Sequence, residues 1–355
     1  MQLGILGLPK SGKTTLFNIL TASHQATDKY SSSSQTNMGM ATVRDTRLEA
    51  LRDLFNPKRY VPATVQYVDI PGMKRGESAE SLDLAKLKTV DALVHVVRAF
   101  EDPEILHPEG SVDPARDVDM LDLELILADH TIVEKRLERL DKATKRGLTP
   151  EEVRERQILA DIVMPALESE KPLREVELDP EDEKRLRGFQ LLSAKPMLLV
   201  INVDEARAAE SPEALGIKVR PAVRAVTVSA PIEQEISALP PDEQKEFLAD
   251  LGLAAPSLDR VTRASYDLLG VISFFTVGED EVRAWTIRRG TKAREAAGAI
   301  HSDIERGFIR AEVVHCDDLI RLKTMAACRD AGLLRLDGKE YVMKDGDVAH
   351  FRFNV

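Results

Sequence analysis

Eight residues near the start of the chain combine the types needed to hold an anion: Gly7-Leu8-Pro9-Lys10-Ser11-Gly12-Lys13-Thr14. Their spacing fits G-x-x-x-x-G-K-[ST], a loop whose backbone N–H groups wrap phosphate oxygens. The glycines let the chain curl closely round the anion, and the N-terminus of a following helix adds partial positive charge. In this arrangement Lys13 reaches the β- and γ-phosphates of a nucleotide, the Thr14 hydroxyl is a ligand for Mg²⁺, and Thr15 extends the cradle. The flanks suit the motif. Met1–Leu6 predicts a short apolar strand before the loop and Thr15–Leu20 a helix after it.

Three further stretches carry the types that a phosphate loop needs as company. Asp69-Ile70-Pro71-Gly72 ends a predicted strand, Thr64–Ile70. Asp69 there is an acid for Mg²⁺, and Gly72 an N–H for the γ-phosphate. Met73 follows, where many GTPases place a glutamine that orients the attacking water, so that group must come from elsewhere or turnover must be slow. Asn202-Val203-Asp204-Glu205 ends another apolar strand, Met197–Ile201. It stands where guanine readers have N-K-x-D, with Val203 in place of the lysine and Glu205 in place of the aspartate. The longer carboxylate crowds a guanine edge, and the missing lysine removes part of the base clamp. Ser229-Ala230, after the strand Ala225–Val228, matches the loop that supports the base. His107 lies in a loop, Arg98–Asp117, that leaves the carboxyl end of a buried strand, where open α/β sheets place their ligands. It is our candidate for the water-positioning group, against the alternative of a solvated loop histidine.

Composition limits what else the chain does. Its 355 residues are enough for two or three domains, with 43% hydrophobic and 31% charged residues. The net charge of −11 argues against coating by nucleic acid. Basic and acidic residues balance from Val271 onward, where Arg283, Arg288, Arg289, Lys292, Arg294, Arg306 and Arg310 outnumber Glu295, Asp303 and Glu305, a modest basic face with a solvated mixed surface as the favoured alternative. No run approaches the ~20 apolar residues of a membrane span, and a strand starting at residue 2 leaves no room for a signal peptide. The two cysteines, Cys316 and Cys328, have no metal spacing. The expected setting is the cytoplasm, with no membrane partner.

The elements follow from periodicity. Tyr30–Thr36 is polar and aperiodic and reads as a loop in the position of a first switch. Leu123, Ile126, His130, Val133, Leu137 and Leu140 recur at heptad spacing and predict a long helix. Gly147 to Pro150 breaks it, and Thr149 with Glu152 has capping-box spacing for a return helix that Pro165 should end or kink. The pair predicts a hairpin arm. After Val271 four β-rich stretches surround one helix near Lys292–His301, an α+β pattern.

Taken together these residues resemble the YchF / Obg-like ATPase family of P-loop NTPases. The resemblance covers essentially the whole chain. It includes Phe274-Phe275-Thr276-Val277-Gly278, Val282 to Ile287, Arg306 to Val313 and Phe351-Arg352-Phe353-Asn354-Val355. It implies an α/β architecture: a Ras-like nucleotide domain over residues 1–120 and 195–270, a helical hairpin over 121–194, and a C-terminal TGS domain of ubiquitin-like β-grasp fold over 271–355. It also implies an ATPase/GTPase that binds ATP at least as well as GTP, attributed to Asn202 and Glu205, needs Mg²⁺, and partners ribosomes or RNA through arm and TGS domain. The rival expectation is a nucleotide-gated ribosome-binding module with negligible turnover. The chain departs from family members in the first switch, where they have a threonine that caps the Mg²⁺ shell and this chain has a serine run with Ser33 the best aligned and Thr36 nearby, and at Lys10, where they have an asparagine. In potassium-activated P-loop NTPases that asparagine helps hold K⁺ near the phosphates, so the Lys10 ammonium is expected to replace the ion. Oligomeric state is not legible from these features.

Overall fold

The computed structural model describes residues 1–22, 37–70, 84–144 and 147–354. Ser33, Thr36, Gly72 and Met73 lie outside the described residues. The chain forms two compact units, one of Met1–Met40 with Gln66–Val261 and one of Ala41–Val65 with Thr262–Val355. Residues 41–65, which chain order alone assigns to the nucleotide domain, thus belong with the C-terminal residues.

The first unit is built on a sheet of β1 (Gln2–Leu6), β2 (Asn37–Thr42), β4 (Thr64–Asp69), β5 (Ala92–Ala99), β6 (Met197–Val203) and β7 (Val223–Val228), in the order β2-β4-β1-β5-β6-β7. The pairs of β1 with β4 and β5, and of β6 with β5 and β7, are parallel. Every residue of β5 and β6 is buried, as near-continuous apolar runs in a parallel sheet covered on both faces should be. The helix Lys13–Thr21 follows β1 directly.

The arm is a helical hairpin, with a root different from the heptad reading. Its first helix, Pro114–Ala143, starts on an Asp113 cap that accepts from the Arg116 N–H. Near the sheet it packs through Leu121, Leu125 and Ala128 onto Leu6 and Leu93, and only farther out do Ile126, Val133 and Leu140 meet the return helix. Leu123 is 38% exposed and has no place in the seam. A straight helix cannot keep one 3.5-residue stripe inward when its partner changes from a sheet to a helix. The Thr149–Glu152 capping box opens the return helix Pro150–Ile158 with both reciprocal hydrogen bonds. Pro165 neither ends nor breaks the run. One π turn over Leu159–Val163 delivers it to the first turn of Met164–Glu168, where the missing N–H has no partner to lose. Asp129 fastens the arm's root, accepting from the Leu192 and Ser193 N–H groups at 2.7 Å each.

The second unit has a six-stranded sheet in the order β11-β10-β12-β8-β9-β3, from β3 (Arg59–Val61), β8 (Val271–Thr276), β9 (Glu281–Arg288), β10 (Phe308–His315), β11 (Arg335–Asp337) and β12 (Asp347–Phe353). β8 and β9 form an antiparallel hairpin, and β12 runs parallel beside β8. The helix Ala293–Ile300 packs Ala293, Ala296 and Ala297 against Phe274, Val313 and Phe351. Small residues let the helix sit close to the sheet, which gives the β-grasp arrangement. Segment 41–65 adds the strand β3, parallel to β9, and the helix Thr46–Phe55, whose Arg47 bonds Asp45 and Asp345 and lies over the Phe275 ring. No helix among the described residues is long and apolar enough to cross a membrane.

Candidate functional site

The phosphate loop connects β1 to the helix Lys13–Thr21, and its two glycines sit where nothing larger fits. At Gly7 (φ +147°) a Cβ would lie 2.3 Å from the Val96 carbonyl oxygen; at Gly12 (φ +94°) it would lie 2.3 Å from Asn202 Nδ2. Gly12 is also the N-cap of the helix and offers no side chain to its first amides, which leaves them for an anion. Leu8 is buried and Pro9 half-buried, whereas Lys10 is exposed at φ +63°.

Lys13 is buried and donates to the Leu8 carbonyl oxygen at 2.6 Å, so its ammonium is held inside the loop's curl. Burial lowers its pKa to about 8, and the nearby Asp69 carboxylate opposes that shift. Thr14 Oγ1 donates to Asp69 Oδ2 at 3.0 Å. Burial raises the Asp69 carboxyl pKa against the opposing effects of Thr14 and Lys13. A hydroxyl and a carboxylate converging at that distance are two hard oxygen donors from two elements, which fits Mg²⁺. When bound there, the ion would neutralise charge on the β- and γ-phosphate oxygens. Thr15 is half-buried on the first helical turn.

Asn202 is a structural clip. Its Nδ2 donates to the Ser11 carbonyl oxygen at 3.1 Å, and its Oδ1 accepts from the Ala230 N–H at 3.3 Å. One amide thus ties the phosphate loop to the Ser229-Ala230 turn. Ser11 and Ser229 are each 1% exposed, with hydroxyls that have no hydrogen-bond partner among the described residues. Val203 is 1% exposed and packs among Val97, Leu215 and Ile217. In this conformation its side chain belongs to the core and offers no surface to a base. Glu205 is exposed at the head of the turn Glu205–Arg207.

His107 is neither a solvated loop residue nor a free base. Its Nε2 lies 3.0 Å from Asp117 Oδ2, and its Nδ1 accepts from the Glu109 N–H at 3.1 Å. The accepting Nδ1 assigns the proton to Nε2, so the ring donates to Asp117 and has no lone pair left for water. Arg116 grips the other carboxylate oxygen of Asp117 through Nε and Nη2. In this conformation His107 pins its loop to the first turn of the arm helix. His95, inside β5, has its pKa pushed down to about 3 by burial, so it is neutral.

Two residues escaped the sequence reading. Asp117 is the buried acid that holds His107. Arg98 is 2% exposed at the end of β5, in register with Asn202. Its Nε donates to the Phe100 carbonyl oxygen and its guanidinium lies 4.6 Å from the Phe100 ring centroid. The signal available for Arg98 was an arginine directly after an apolar run interrupted only by His95.

Comparison with known proteins agrees with this geometry. A family model described as 50S ribosome-binding GTPase matches residues 2–128, and one for the YchF GTPase C-terminal domain, described as of unknown function, matches residues 271–354. The "Ribosome-binding ATPase YchF" of Bacillus subtilis is 45% identical, over 99% of both chains. The "Obg-like ATPase 1" of Schizosaccharomyces pombe is 35% identical over 99% of this chain and 94% of its own length. The solved YchF GTPase structure of Schizosaccharomyces pombe superposes with a TM-score of 0.86 at 34% identity, covering 99% of this chain and 97% of that one. With the phosphate loop, the Thr14–Asp69 pair, the hairpin arm and the β-grasp sheet all present in one chain, the protein belongs to the YchF / Obg-like ATPase family.

Proposed function

We propose that the chain is a Mg²⁺-dependent hydrolase of ATP that binds ATP at least as well as GTP and acts in the cytoplasm as a slow, nucleotide-controlled switch on the ribosome. The observation that carries the chemistry is the convergence of Lys13, Thr14 and Asp69 on the mouth of a loop closed by two obligatory glycines. Loop amides and Lys13 bind the triphosphate and meet charge developing on the γ-phosphoryl; Thr14 and Asp69 would hold the ion. Ser33 and Gly72 complete the shell and the γ-phosphate contact in this reading. Glu205, exposed beside the Asn202 clip, is the base-facing acid, and its length supports adenine over guanine.

The ribosome as partner is supported by the relatives' names, "Ribosome-binding ATPase" among them. The arm and the C-terminal unit, read as a TGS domain, are the parts that would engage it. Co-sedimentation with ribosomes in ATP and in ADP tests partner and switch together: equal binding in both removes the switch, and no binding in either removes the partner.

One observation favours a nucleotide-gated binding module with negligible turnover, namely that both ring nitrogens of His107 are engaged. A phosphate-release assay separates the readings. Measurable turnover at saturating ATP supports the hydrolase; normal ATP binding without phosphate release selects the module.

A further inference from the structure

We propose that Lys10 is a catalytic cation, its ammonium lying against the β–γ bridge of the bound triphosphate to offset the charge that builds there as that bond breaks. This rests on the hydrolase reading above. The backbone is the first observation. Six non-glycine residues among those described have φ between +43° and +68°: Lys10, Ala22, Asn56, Glu170, Gln190 and Lys323. Ala22, Asn56, Gln190 and Lys323 are helix C-caps, and Glu170 directly follows one, Ser169. A left-handed residue is the ordinary way out of a helix. Lys10 caps no helix: its left-handed backbone belongs to the anion loop, where such a residue turns successive N–H groups toward one anion. It sits inside the anion loop, in a conformation that glycine or asparagine takes more easily than a long side chain. Strain of this kind persists where the neighbouring structure over-determines it, and it clusters at ligand clamps.

The second observation is the side chain. Lys10 is exposed, and among the described residues its ammonium has neither an ion pair nor a hydrogen bond. The Lys13 ammonium, by contrast, is buried and bonded within the loop at Leu8. The loop therefore carries two cations three residues apart, one fixed inside its curl and one free at its rim. Phosphoryl transfer uses such an arrangement. Water attacks the γ-phosphorus, its oxygen forms the new P–O bond, the bond to the β–γ bridging oxygen breaks, and the electron pair leaves with the nucleoside diphosphate. The proton departs with orthophosphate or to solvent. Negative charge grows on the bridging and β-oxygens, where a second cation supplied from the same chain lowers the barrier. A lysine built into the loop also makes a mobile monovalent cation unnecessary.

The test uses the full chain, with steady-state phosphate release at saturating MgATP in matched NaCl and KCl, for wild type, Lys10→Ala, Lys10→Arg and Lys10→Asn. Expected are equal wild-type rates in the two salts and a kcat at least tenfold lower in Lys10→Ala. Affinity for ATP, titrated separately, should change by less than about threefold, because the bridging oxygen of the intact triphosphate does not yet carry the charge that the cation offsets, whereas ADP, which keeps that charge on its β-oxygens, should bind more weakly. Lys10→Arg should recover part of kcat, and Lys10→Asn should become potassium-stimulated. Wild-type kcat in Lys10→Ala, or strong potassium stimulation of the wild type, overturns the role of Lys10 and leaves the hydrolase reading standing. Absence of phosphate release from the wild type, with ATP still bound, overturns both.

Discussion

Asn202 separates two roles that its motif confounds. Read as part of a base-recognition motif it contacts the purine; in the structure its amide clips the phosphate loop to the Ser229-Ala230 turn. Replacing it with alanine removes both hydrogen bonds and leaves the Ser11 carbonyl and the Ala230 N–H without partners in a site where Asn202 is 6% exposed. At about 1 kcal/mol net for each neutral hydrogen bond, the loop loses ~2 kcal/mol of preorganisation. That corresponds to a roughly 30-fold loss of affinity for anything the loop binds. Calorimetric titration with MgATP, MgGTP and magnesium tripolyphosphate measures it. The clip predicts that all three weaken by a similar factor, since tripolyphosphate has no base. Unchanged tripolyphosphate affinity beside weakened nucleotides would refute the clip and return Asn202 to base reading. Asn202→Asp sharpens the test: it keeps an acceptor for the Ala230 N–H and loses the donor to Ser11, so tripolyphosphate binding should still fall.

Three other outcomes are expected. His107→Ala should lower the urea midpoint by the equivalent of about 2 kcal/mol, because two hydrogen bonds at a buried pin are lost, and should lower kcat at saturating ATP if the loop releases the ring during turnover; an unchanged kcat confines His107 to the pin. Glu205→Asp should shift the ratio of ATP to GTP affinity toward GTP, and an unmoved ratio would refute its assignment as the base-facing acid. Residues 262–355 alone should show no cooperative unfolding by circular dichroism, while the same residues joined through a flexible linker to 41–65 should. The reason is that segment 41–65 contributes fully buried Leu48 and Leu51, worth ~2 kcal/mol each, together with β3 and the Arg47 bonds to Asp45 and Asp345. A fully cooperative 262–355 fragment would show that those contacts are dispensable.

Much of the nucleotide fold was legible because its signals are local. Near-continuous apolar runs mark β5 and β6, a Thr-x-x-Glu box marks the return helix, and the loop's glycines occupy fixed positions. Where the reading failed, the deciding neighbour was distant in sequence. Leu123 fits a heptad until the helix's true partner near its root is recognised as a sheet. Val203 stands in a motif position, yet faces Leu215 and Ile217, which lie beyond the turn that follows it. β3 is three residues long and exists because β9, more than two hundred residues later, pairs with it.

The same reasoning explains how the site itself diverged from its motif. A motif position fixes where the backbone goes; the side chain's task depends on what surrounds it. In a guanine reader the residue after the asparagine is a lysine whose stem lies along the base. Here β6 extends through Val203, so that position is buried and a lysine would place an unpaired charge among aliphatic side chains. Valine is the residue this geometry accepts. Reverting Val203 to lysine should therefore destabilise the chain instead of conferring guanine selectivity. A Val203→Lys variant that stays as stable as wild type and gains GTP affinity would show that the β6 terminus can unfold outward to meet a base.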